Sequence, residues 1–526
     1  MSSPEVFPEP DLGEVGAGAG GGGEGFDERR IARGALLQQA SQVWGTACML
    51  LVATLLGRRL SLDAFGVYGL LISLVAYLVT VQVSVEGAAV RMLSEAEVEP
   101  SRRAEVLSTT MAIYAVGGVV AAALVASAGV ALVGVLGIPD DLQEDARHAV
   151  LALAAITVIG WPFKAFQDAL RGMQLFGAAA AAEMAAYGTM AAGMTAAVLL
   201  DAPLWVIVAI GGSLAVMTGL WALVSLRVFR VGLRFHWSEI SWPLARRMLR
   251  VSAYLFVAGL ADLVVYSLDR VILAAFRSTA SVGLYEGAAR PHNLIRQLNG
   301  TLVLTVVPVA SRYIAEGDDV RLRELLVRGT RYVAAIVAPT TVVLIVLAAP
   351  LLDVWLGDRY RTAALALALL SSYWLIGCAT GVLASMVVAA GRVRFLARYA
   401  WVVAISNLAV SLALTPSLGL DGVVLGTTVP YLLAQPWFLV KASHGFGVSL
   451  GTLVRSALAP AYTAAAVVAL VLVPIRLFAE PQNLLSLVAS AVGALALGWG
   501  VLWFCFLTPG ERRLVASMVP GLAPRA

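Results

Sequence analysis

The sequence predicts an all-α, polytopic membrane protein with about 14 transmembrane helices. Of its 526 residues, 60% are hydrophobic and only 13% are charged, which is about half the charged share of a soluble globular chain. The mean hydropathy is +0.85. Apolar stretches of about 20 or more residues recur along the chain, and an α-helix needs that length to cross a bilayer. This composition excludes a soluble enzyme, a disordered chain and a nucleic-acid-binding protein.

Fourteen windows are apolar throughout, with short polar connections between them. Hydrophobic residues fill each window instead of alternating along it, so the windows are typical of helices and not of barrel strands. They lie near residues 35–57, 66–88, 107–136, 149–170, 175–200, 204–227, 249–276, 283–311, 332–356, 362–390, 395–415, 422–440, 456–474 and 484–507.

The basic residues predict the orientation of these helices. With the N-terminus inside and the spans alternating, 27 of the 37 Lys and Arg residues fall in inside segments, 7 fall in outside segments and 3 lie within spans. Positive charge concentrates on the cytoplasmic side of membrane proteins. The sequence therefore predicts that both termini are cytoplasmic.

The segments between and around the spans define the predicted domains. The N-terminal tail is acidic and glycine-rich, which predicts a flexible segment, and the linker after span six is basic and amphipathic, with Phe235, Trp237 and Trp242 placed to lie on the inner surface. The predicted domains are a cytoplasmic tail at 1–33, an N-lobe of spans one to six at 34–230, the cytoplasmic linker at 231–248, a C-lobe of spans seven to twelve at 249–445, spans thirteen and fourteen at 446–508, and a cytoplasmic tail at 509–526.

The two halves of the chain repeat one another. Matching positions occupy the same place in the topology at nearly constant offsets of 217 to 220 residues. This pattern indicates a duplication of six spans with parallel topology, an arrangement typical of transporters whose substrate site lies between the repeats. The matches are Phe65–Tyr68 with Val282–Tyr285, Leu136-Gly137 with Leu356-Gly357, Gly172–Phe176 with Gly391–Phe395, and Asp201 with Asp421.

Short motifs at the membrane edges follow one another in a specific order. They are RLSLDAFGVY at 59–68, VGLY at 282–285, VP at 307–308, AGR at 390–392 and LGLDG at 418–422. In that order and spacing they resemble the Wzx-type oligosaccharide-lipid flippases of the multidrug/oligosaccharidyl-lipid/polysaccharide (MOP) exporter superfamily, over roughly residues 33–510. The resemblance implies two six-helix lobes in a V-shaped arrangement, plus two C-terminal helices.

The same resemblance implies a function by alternating access. The expected substrate is a polyprenyl-pyrophosphate-linked oligosaccharide, moved from the inner to the outer leaflet for surface polysaccharide biosynthesis. The expected place is a bacterial cytoplasmic (inner) membrane. The expected partners are this lipid-linked substrate, membrane lipids and other polysaccharide-assembly membrane proteins, with no nucleic acid, and the chain is expected to be monomeric.

Sequence features also bear on three other functions: a lipid II flippase, a MATE-like antiporter and a membrane glycan polymerase. Lipid II flippases resemble the chain, but Ser41–Ala47 lacks the arginines of their first helix. MATE-like multidrug or cation antiporters have acidic or apolar cavities, whereas span eight here carries arginine. A membrane glycan polymerase needs a large outer loop, and the predicted outer loops are short connectors, so we expect no enzyme activity. No cofactor motif occurs, which leaves an H⁺ or Na⁺ gradient as a candidate drive.

Ionisable residues within spans are costly and mark candidate functional sites. Arg296, Arg290 and Arg270 are predicted to bind the pyrophosphate, because guanidinium groups pair with phosphate oxygens in a bidentate manner. For Arg270 and Arg290 the alternative is a static ion pair with Asp269 or Glu286.

Further polar residues of the spans complete the candidate site. Asp262 and Asp269, on one face of span seven, are predicted to couple transport to an ion, and for Asp262 a helix-packing role remains open. Lys164 and Arg171, on one face with Asp168, are predicted to meet a headgroup on cytoplasmic entry, with an interfacial ion pair as the alternative. The remaining predicted cavity residues are His292, Asn293, Gln297, Gln38 and Gln42.

Overall fold

A computed structural model describes residues 28–95, 100–228 and 235–518 of the chain. Within these ranges every regular element is helical and no strand occurs. The first half contains α1 Glu28–Arg59, α2 Leu62–Glu95, α3 Pro100–Val135, α4 Asp140–Gly172, α5 Phe176–Leu199, α6 Leu204–Gly212, α7 Leu214–Val228, α8 Trp242–Phe276 and α9 Thr279–Val303. The second half contains α10 Val306–Glu316, α11 Asp319–Val346, α12 Ala348–Leu356, α13 Ala364–Ser372, α14 Trp374–Ala389, α15 Val393–Leu418, α16 Leu420–Gly445, α17 Leu450–Leu453, α18 Ala459–Phe478, α19 Leu484–Val501 and α20 Pro509–Met518.

These helices confirm the prediction of an all-α polytopic membrane protein. Each of the fourteen predicted windows falls on one helix or on consecutive helices. In the described ranges, eleven helices are long and apolar enough to cross a bilayer, or twelve if α6 and α7, which meet at a bend of 46°, form one span. The long helices α5 and α8 are not among these eleven.

The ends of the predicted domains differ locally from the helices. α1 begins at Glu28, inside the predicted tail at 1–33, whose residues 1–27 lie outside the described ranges. In the predicted linker, residues 231–234 also lie outside them, Trp237–Glu239 form a 3₁₀ turn, and 242–248 are already the first two turns of α8. The helices therefore extend beyond the apolar windows, because backbone hydrogen bonding continues where the side chains become polar.

The described chain packs as two compact units. The first unit ends at Glu286 and the second begins at Gly287, within α9. The core of the first unit includes Leu93, Tyr114 and Trp161, and that of the second includes Tyr373 and Phe438. α8 packs along α2 in the first unit, so packing divides the chain at a later point than the predicted linker.

Turn geometry repeats between the halves. A left-handed backbone is rare outside glycine, because the Cβ atom crowds the carbonyl oxygen. Three pairs of left-handed residues are separated by 220, 217 and 218 residues, close to the offsets of the sequence repeat. The pairs are Gly137 with Gly357, Gln174 with Gly391, and Asp201 with Gly419.

Hydrogen bonds of the Glu511 side chain anchor the C-terminal helix α20 to α11. This carboxylate is 7% exposed and accepts hydrogen bonds from Thr508 N at 2.8 Å, Arg331 Nη1 at 3.0 Å and the Tyr332 hydroxyl at 3.2 Å. Burial alone would raise the pKa of Glu511, but the Thr508 hydrogen bonds and the charge of Arg331 together hold that pKa below its usual value. The predicted tail at 509–526 therefore includes an anchored helix.

The low pKa of Glu511 makes the attachment of α20 dependent on pH. A carboxylate with a depressed folded-state pKa stabilises the fold above its unfolded-state pKa of about 4.3, and this contribution is lost as the pH falls through the folded-state value. A spin label at Arg513→Cys is therefore expected to be immobilised at neutral pH and to become mobile on acidification.

Substitution of Glu511 separates this attachment from general acid unfolding. Glu511→Gln should loosen α20 at neutral pH by about 1–3 kcal/mol, the cost of removing a charge-assisted buried hydrogen bond. Glu324→Gln is the matched control, because its pair with Arg328 is solvent-exposed and contributes little. An immobile label in Glu511→Gln at neutral pH would contradict the role of the carboxylate.

Candidate functional site

Charged residues of α8 and α9 form a buried cluster in the first unit. Arg270 Nε is paired with the Glu286 carboxylate, and Arg270 Nη1 donates to the Tyr266 carbonyl at 2.8 Å. The Tyr285 hydroxyl donates to Asp269 at 2.8 Å, and the Arg270 guanidinium lies 5.5 Å from the centre of the Tyr285 ring. We call these residues the α8/α9 cluster.

The α8/α9 cluster contains more acid than base. Asp269 is 0% exposed and Glu286 is 1% exposed, and Arg270 is the cation placed between their helices. An uncompensated carboxylate in an apolar interior costs several kcal/mol, so Arg270 offsets part of that cost. The structure thus brings together the Arg270 and Asp269 selected from the sequence, and it selects Glu286 as the ion-pair partner of Arg270.

Beside this cluster, α2 and α9 cross with their backbones in close contact. A Cβ atom added to Gly66 would lie 1.8 Å from the Thr279 carbonyl oxygen, and one added to Gly283 would lie 2.3 Å from the Leu62 carbonyl oxygen. The Thr279 hydroxyl also donates to the Asp63 carboxylate. We call this contact the glycine crossing. Gly66 and Gly283 are equivalent positions of the sequence repeat, so the two copies of one motif meet here.

The part of α9 that belongs to the second unit carries the other predicted cavity residues. His292 is 3% exposed, with Nε2 3.2 Å from the Tyr373 hydroxyl, and its ring lies 6.3 Å from that of Trp374. His292 is therefore a packed residue of an aromatic cluster. The exposure of the others differs: Arg290, Arg296 and Asn293 are half-buried, and Gln297 is exposed.

Two further predicted residues, besides Gln297, lie at exposed positions. Asp262 is exposed on α8, two turns before Asp269, and Gln42 is exposed on α1. Gln38 instead donates to Glu183 of α5 at 2.9 Å. Gln38 and Gln42 both lie on α1, as their helical spacing predicts. The hydrogen bond to α5 is formed by Gln38.

A second group of charges lies among α2, α4 and α5. Lys164 Nζ is 2.8 Å from Glu86 Oε2 and is also paired with Asp168. Arg171 pairs with both Glu86 and Glu183. We call these five residues the first-unit network. Three carboxylates and two cations give it a formal charge of −1, and Asp168 is 0% exposed.

Neutral side chains complete the first-unit network. Asp168 accepts a hydrogen bond from the Tyr114 hydroxyl at 2.6 Å, and Glu183 accepts from Gln167 at 2.8 Å and from Ser41 at 3.0 Å. Glu183 was missed from the sequence, although a single acid in an alanine-rich span is the signal that identifies such residues. Lys164 and Arg171, the predicted entry residues, are held by these carboxylates.

The partners of Glu86 come from another helix. Arg91, which follows Glu86 on α2, pairs with Glu95 on the exposed surface of that helix, at 3.0 Å. Glu86 instead contacts Lys164 and Arg171 of α4. Residues one or two turns apart on a helix and facing solvent pair readily, whereas a buried carboxylate is neutralised by the helix packed against it.

The model of a family described as polysaccharide biosynthesis protein matches residues 55–365. The match covers more than half of the chain, including both the α8/α9 cluster and the first-unit network.

The chain belongs to this polysaccharide biosynthesis family.

Solved structures of membrane transporters share the fold of this family member. The lipid II flippase MurJ, in an inward closed conformation, matches with a TM-score of 0.68 and 11% identity over 89% of this chain and 99% of the other. A MATE family multidrug resistance transporter in an inward-facing conformation matches with 0.66 and 15% identity over 78% and 98%. An outward-facing MATE structure matches with 0.57 and 15% identity over 80% and 96%. No curated protein matches the sequence.

Family and fold together establish the general class of the protein. It is a multi-pass membrane protein of a polysaccharide biosynthesis family, and its fold is shared with solved structures of a MATE transporter and of MurJ. The expected link to polysaccharide biosynthesis is confirmed by the family match, and the expected fold is confirmed by the solved structures. The transported substrate and the roles of the individual site residues stay predictions.

The first-unit network predicts a stability effect at Lys164. Lys164→Ala leaves Glu86 and Asp168 without one of their cations, and breaking a buried ion pair in this way costs about 3–5 kcal/mol. We expect the purified variant to unfold at a clearly lower temperature, measured in detergent. Arg91→Ala is the control, because its exposed pair contributes about 0–1 kcal/mol. Equal unfolding temperatures for the two variants would show that the network does not stabilise the fold.

Proposed function

We propose that the protein flips a polyprenyl-pyrophosphate-linked oligosaccharide from the inner to the outer leaflet of a bacterial cytoplasmic membrane. The product serves the biosynthesis of a surface polysaccharide. The polysaccharide biosynthesis family and the transporter fold support this function. The proposal includes a monomeric chain with cytoplasmic termini, which works beside other membrane proteins of polysaccharide assembly.

The observation that carries the proposal is the set of arginines on consecutive membrane helices. Arg270 lies in the α8/α9 cluster, while Arg290 and Arg296 are half-buried on α9. Cations within a span are costly and are retained where they meet a substrate. A guanidinium group forms paired hydrogen bonds with phosphate oxygens, so a pyrophosphate is the part of the substrate that these residues bind.

Alternating access requires a contact that opens and closes, and the glycine crossing is suited to this role. The arginine distribution assigns this end of α2 and α9 to the outer side of the membrane. Since backbones meet there without side chains between them, the contact closes tightly and can separate without displacing packed side chains. In the proposed cycle, separation at Gly66 and Gly283 releases the substrate outward.

Ion coupling belongs to the same proposal. Asp269 is buried in the α8/α9 cluster, and Asp262 lies two turns away on α8. A carboxylate whose surroundings change between two conformations binds H⁺ or Na⁺ with different affinity in each. Protonation or sodium binding at Asp262 or Asp269 would thereby bias the opening of the cycle.

A second candidate function is favoured by the charge of the first-unit network. Its three carboxylates outnumber its two cations, and a negative interior is suited to an organic cation. A MATE-like multidrug or cation antiporter is therefore the alternative, and a lipid II-type peptidoglycan precursor is the alternative lipid substrate. The three functions make different predictions for the lipids of the cell.

The first test is lipid analysis after controlled depletion of the protein in its host. We expect one defined polyprenyl-pyrophosphate oligosaccharide to accumulate while surface polysaccharide falls, measured by extraction and mass spectrometry. Accumulation of lipid II would indicate the peptidoglycan precursor instead. An unchanged lipid pool with new sensitivity to cationic drugs would support the antiporter and contradict the flippase.

Arg296 tests the binding of the substrate, and Asp262 tests coupling. Arg296→Ala should lower glycan export by at least about tenfold at normal membrane levels, because a charge-assisted hydrogen bond contributes about 1.5–3 kcal/mol. Asp262→Asn should change the dependence of export on pH or sodium. Arg398→Ala, an exposed arginine of α15, is the control. Wild-type export by Arg296→Ala would remove that residue from the mechanism.

The glycine crossing can be tested by a reversible covalent bond. Asp63→Cys with Thr279→Cys, in a background with Cys505→Ser, places two thiols where the native side chains form a hydrogen bond. Because the bond holds α2 and α9 together, we expect oxidation to stop export and reduction to restore it. Continued export after complete cross-linking would contradict the proposed gate.

Two glycine variants on one helix provide the matched comparison. Gly283→Ala should lower the yield of this cross-link, since its Cβ atom would overlap the Leu62 carbonyl oxygen. Gly300→Ala has open space around the new atom and should leave the yield unchanged. If both variants cross-link like the parent, close backbone contact is not what holds the crossing closed.

A further inference from the structure

A cationic depression lies at the beginning of α8, away from the clusters described above. Its volume is about 440 Å³, and it is lined by Trp242, Pro243, Arg246, Arg247 and Arg250. All five residues belong to the first unit. Neither the proposed pyrophosphate site nor the proposed coupling residues include any of them.

The three arginines of the depression are exposed and form no ion pair with the described residues. Arg246 and Arg250 are one helical turn apart, so they project from the same face, and Arg247 lies next to them. All three side chains are exposed, and no ion pair joins them to any carboxylate of the described residues. Their combined positive charge is therefore available to an external anion.

Aromatic residues place this depression at the membrane surface. Trp242 is 71% exposed and Trp237 is 76% exposed, and the Trp237 ring contacts that of Phe235 at 4.9 Å. Tryptophan is enriched at the level of lipid headgroups, where its apolar ring meets the acyl chains. A basic segment with tryptophans is typical of a surface that lies on an anionic leaflet.

We infer that this depression binds the phosphate headgroup of an anionic phospholipid in the inner leaflet. The positive-inside distribution assigns the start of α8 to the cytoplasmic side, where bulk anionic phospholipid is available. The guanidinium groups are exposed and have no fixed partners to orient them, which favours charge attraction over recognition of one rare headgroup. Each basic residue near such a surface raises binding about fivefold.

Occupancy of the depression has a structural consequence for the charged helix. The lipid holds the first two turns of α8 at the headgroup level, while Trp242 anchors in the apolar layer below. The same helix continues to Asp269 and Arg270 of the α8/α9 cluster. Anionic lipid thus fixes one end of the helix on which these charges lie, whatever substrate the protein carries.

The test uses the full-length protein in nanodiscs and hydrogen–deuterium exchange of the peptides covering 237–250. We expect exchange to slow when phosphatidylglycerol is added to phosphatidylcholine discs, and this slowing to be lost in Arg246→Gln/Arg247→Gln/Arg250→Gln. Arg394→Gln/Arg398→Gln, which removes two exposed arginines of α15, should retain it. Slowing of equal size in the triple variant would overturn the proposal.

Two further measurements on the wild-type protein do not depend on a variant folding. High salt screens exposed charges, so it should abolish the slowing of exchange by phosphatidylglycerol. If this slowing persists in high salt, an electrostatic headgroup site is overturned.

Farnesyl diphosphate added to phosphatidylcholine discs is expected to leave these peptides unprotected. Protection by this probe and not by phosphatidylglycerol would identify a diphosphate lipid as the occupant and overturn the assignment to bulk phospholipid.

Discussion

Charge buried within membrane helices must be compensated inside the protein, and this constraint organises the first unit. A lone carboxylate or guanidinium group in an apolar medium is too costly to persist. In the first-unit network, Lys164 and Arg171 therefore join α4 to carboxylates of α2 and α5. In the α8/α9 cluster, Arg270 joins the two helices on which it and Glu286 lie. Each cluster thus fixes the packing of the helices that it joins.

Close backbone contact supplies the second kind of interaction in this fold. Helices in a bilayer gain little from hydrophobic burial, so they associate through small residues that allow tight packing. At the glycine crossing, Gly66 and Gly283 bring equivalent parts of the repeat together. The charged cluster beside it is less easily separated, because its ion pair must be replaced by other partners when the helices move. In the proposed cycle of alternating access, the glycine crossing opens and the residues of the α8/α9 cluster exchange partners.

Much of the fold could be predicted from the sequence, because burial in a bilayer demands long apolar helices. The apolar windows predicted the positions of the helices. Hydropathy did not predict the polar helix ends, such as Glu28 and residues 242–248. For the site, helical spacing correctly paired Lys164 with Asp168 on one helix. The same reasoning could not identify the partners of Glu86, since they come from α4. It also missed Glu183, whose neighbours are distant in the chain.

The sequence by itself determined the class, the repeat and the family, because composition, apolar length and motif order are local properties. It also determined which residues are ionisable and lie within spans. Only the tertiary structure decided their partners: that Glu286 holds Arg270, that Glu183 joins Arg171 with Gln38, and that His292 packs against Tyr373. The physical reason is that buried charges and hydrogen-bonding groups are satisfied across helix interfaces, and which faces meet depends on the packing of helices far apart in the chain.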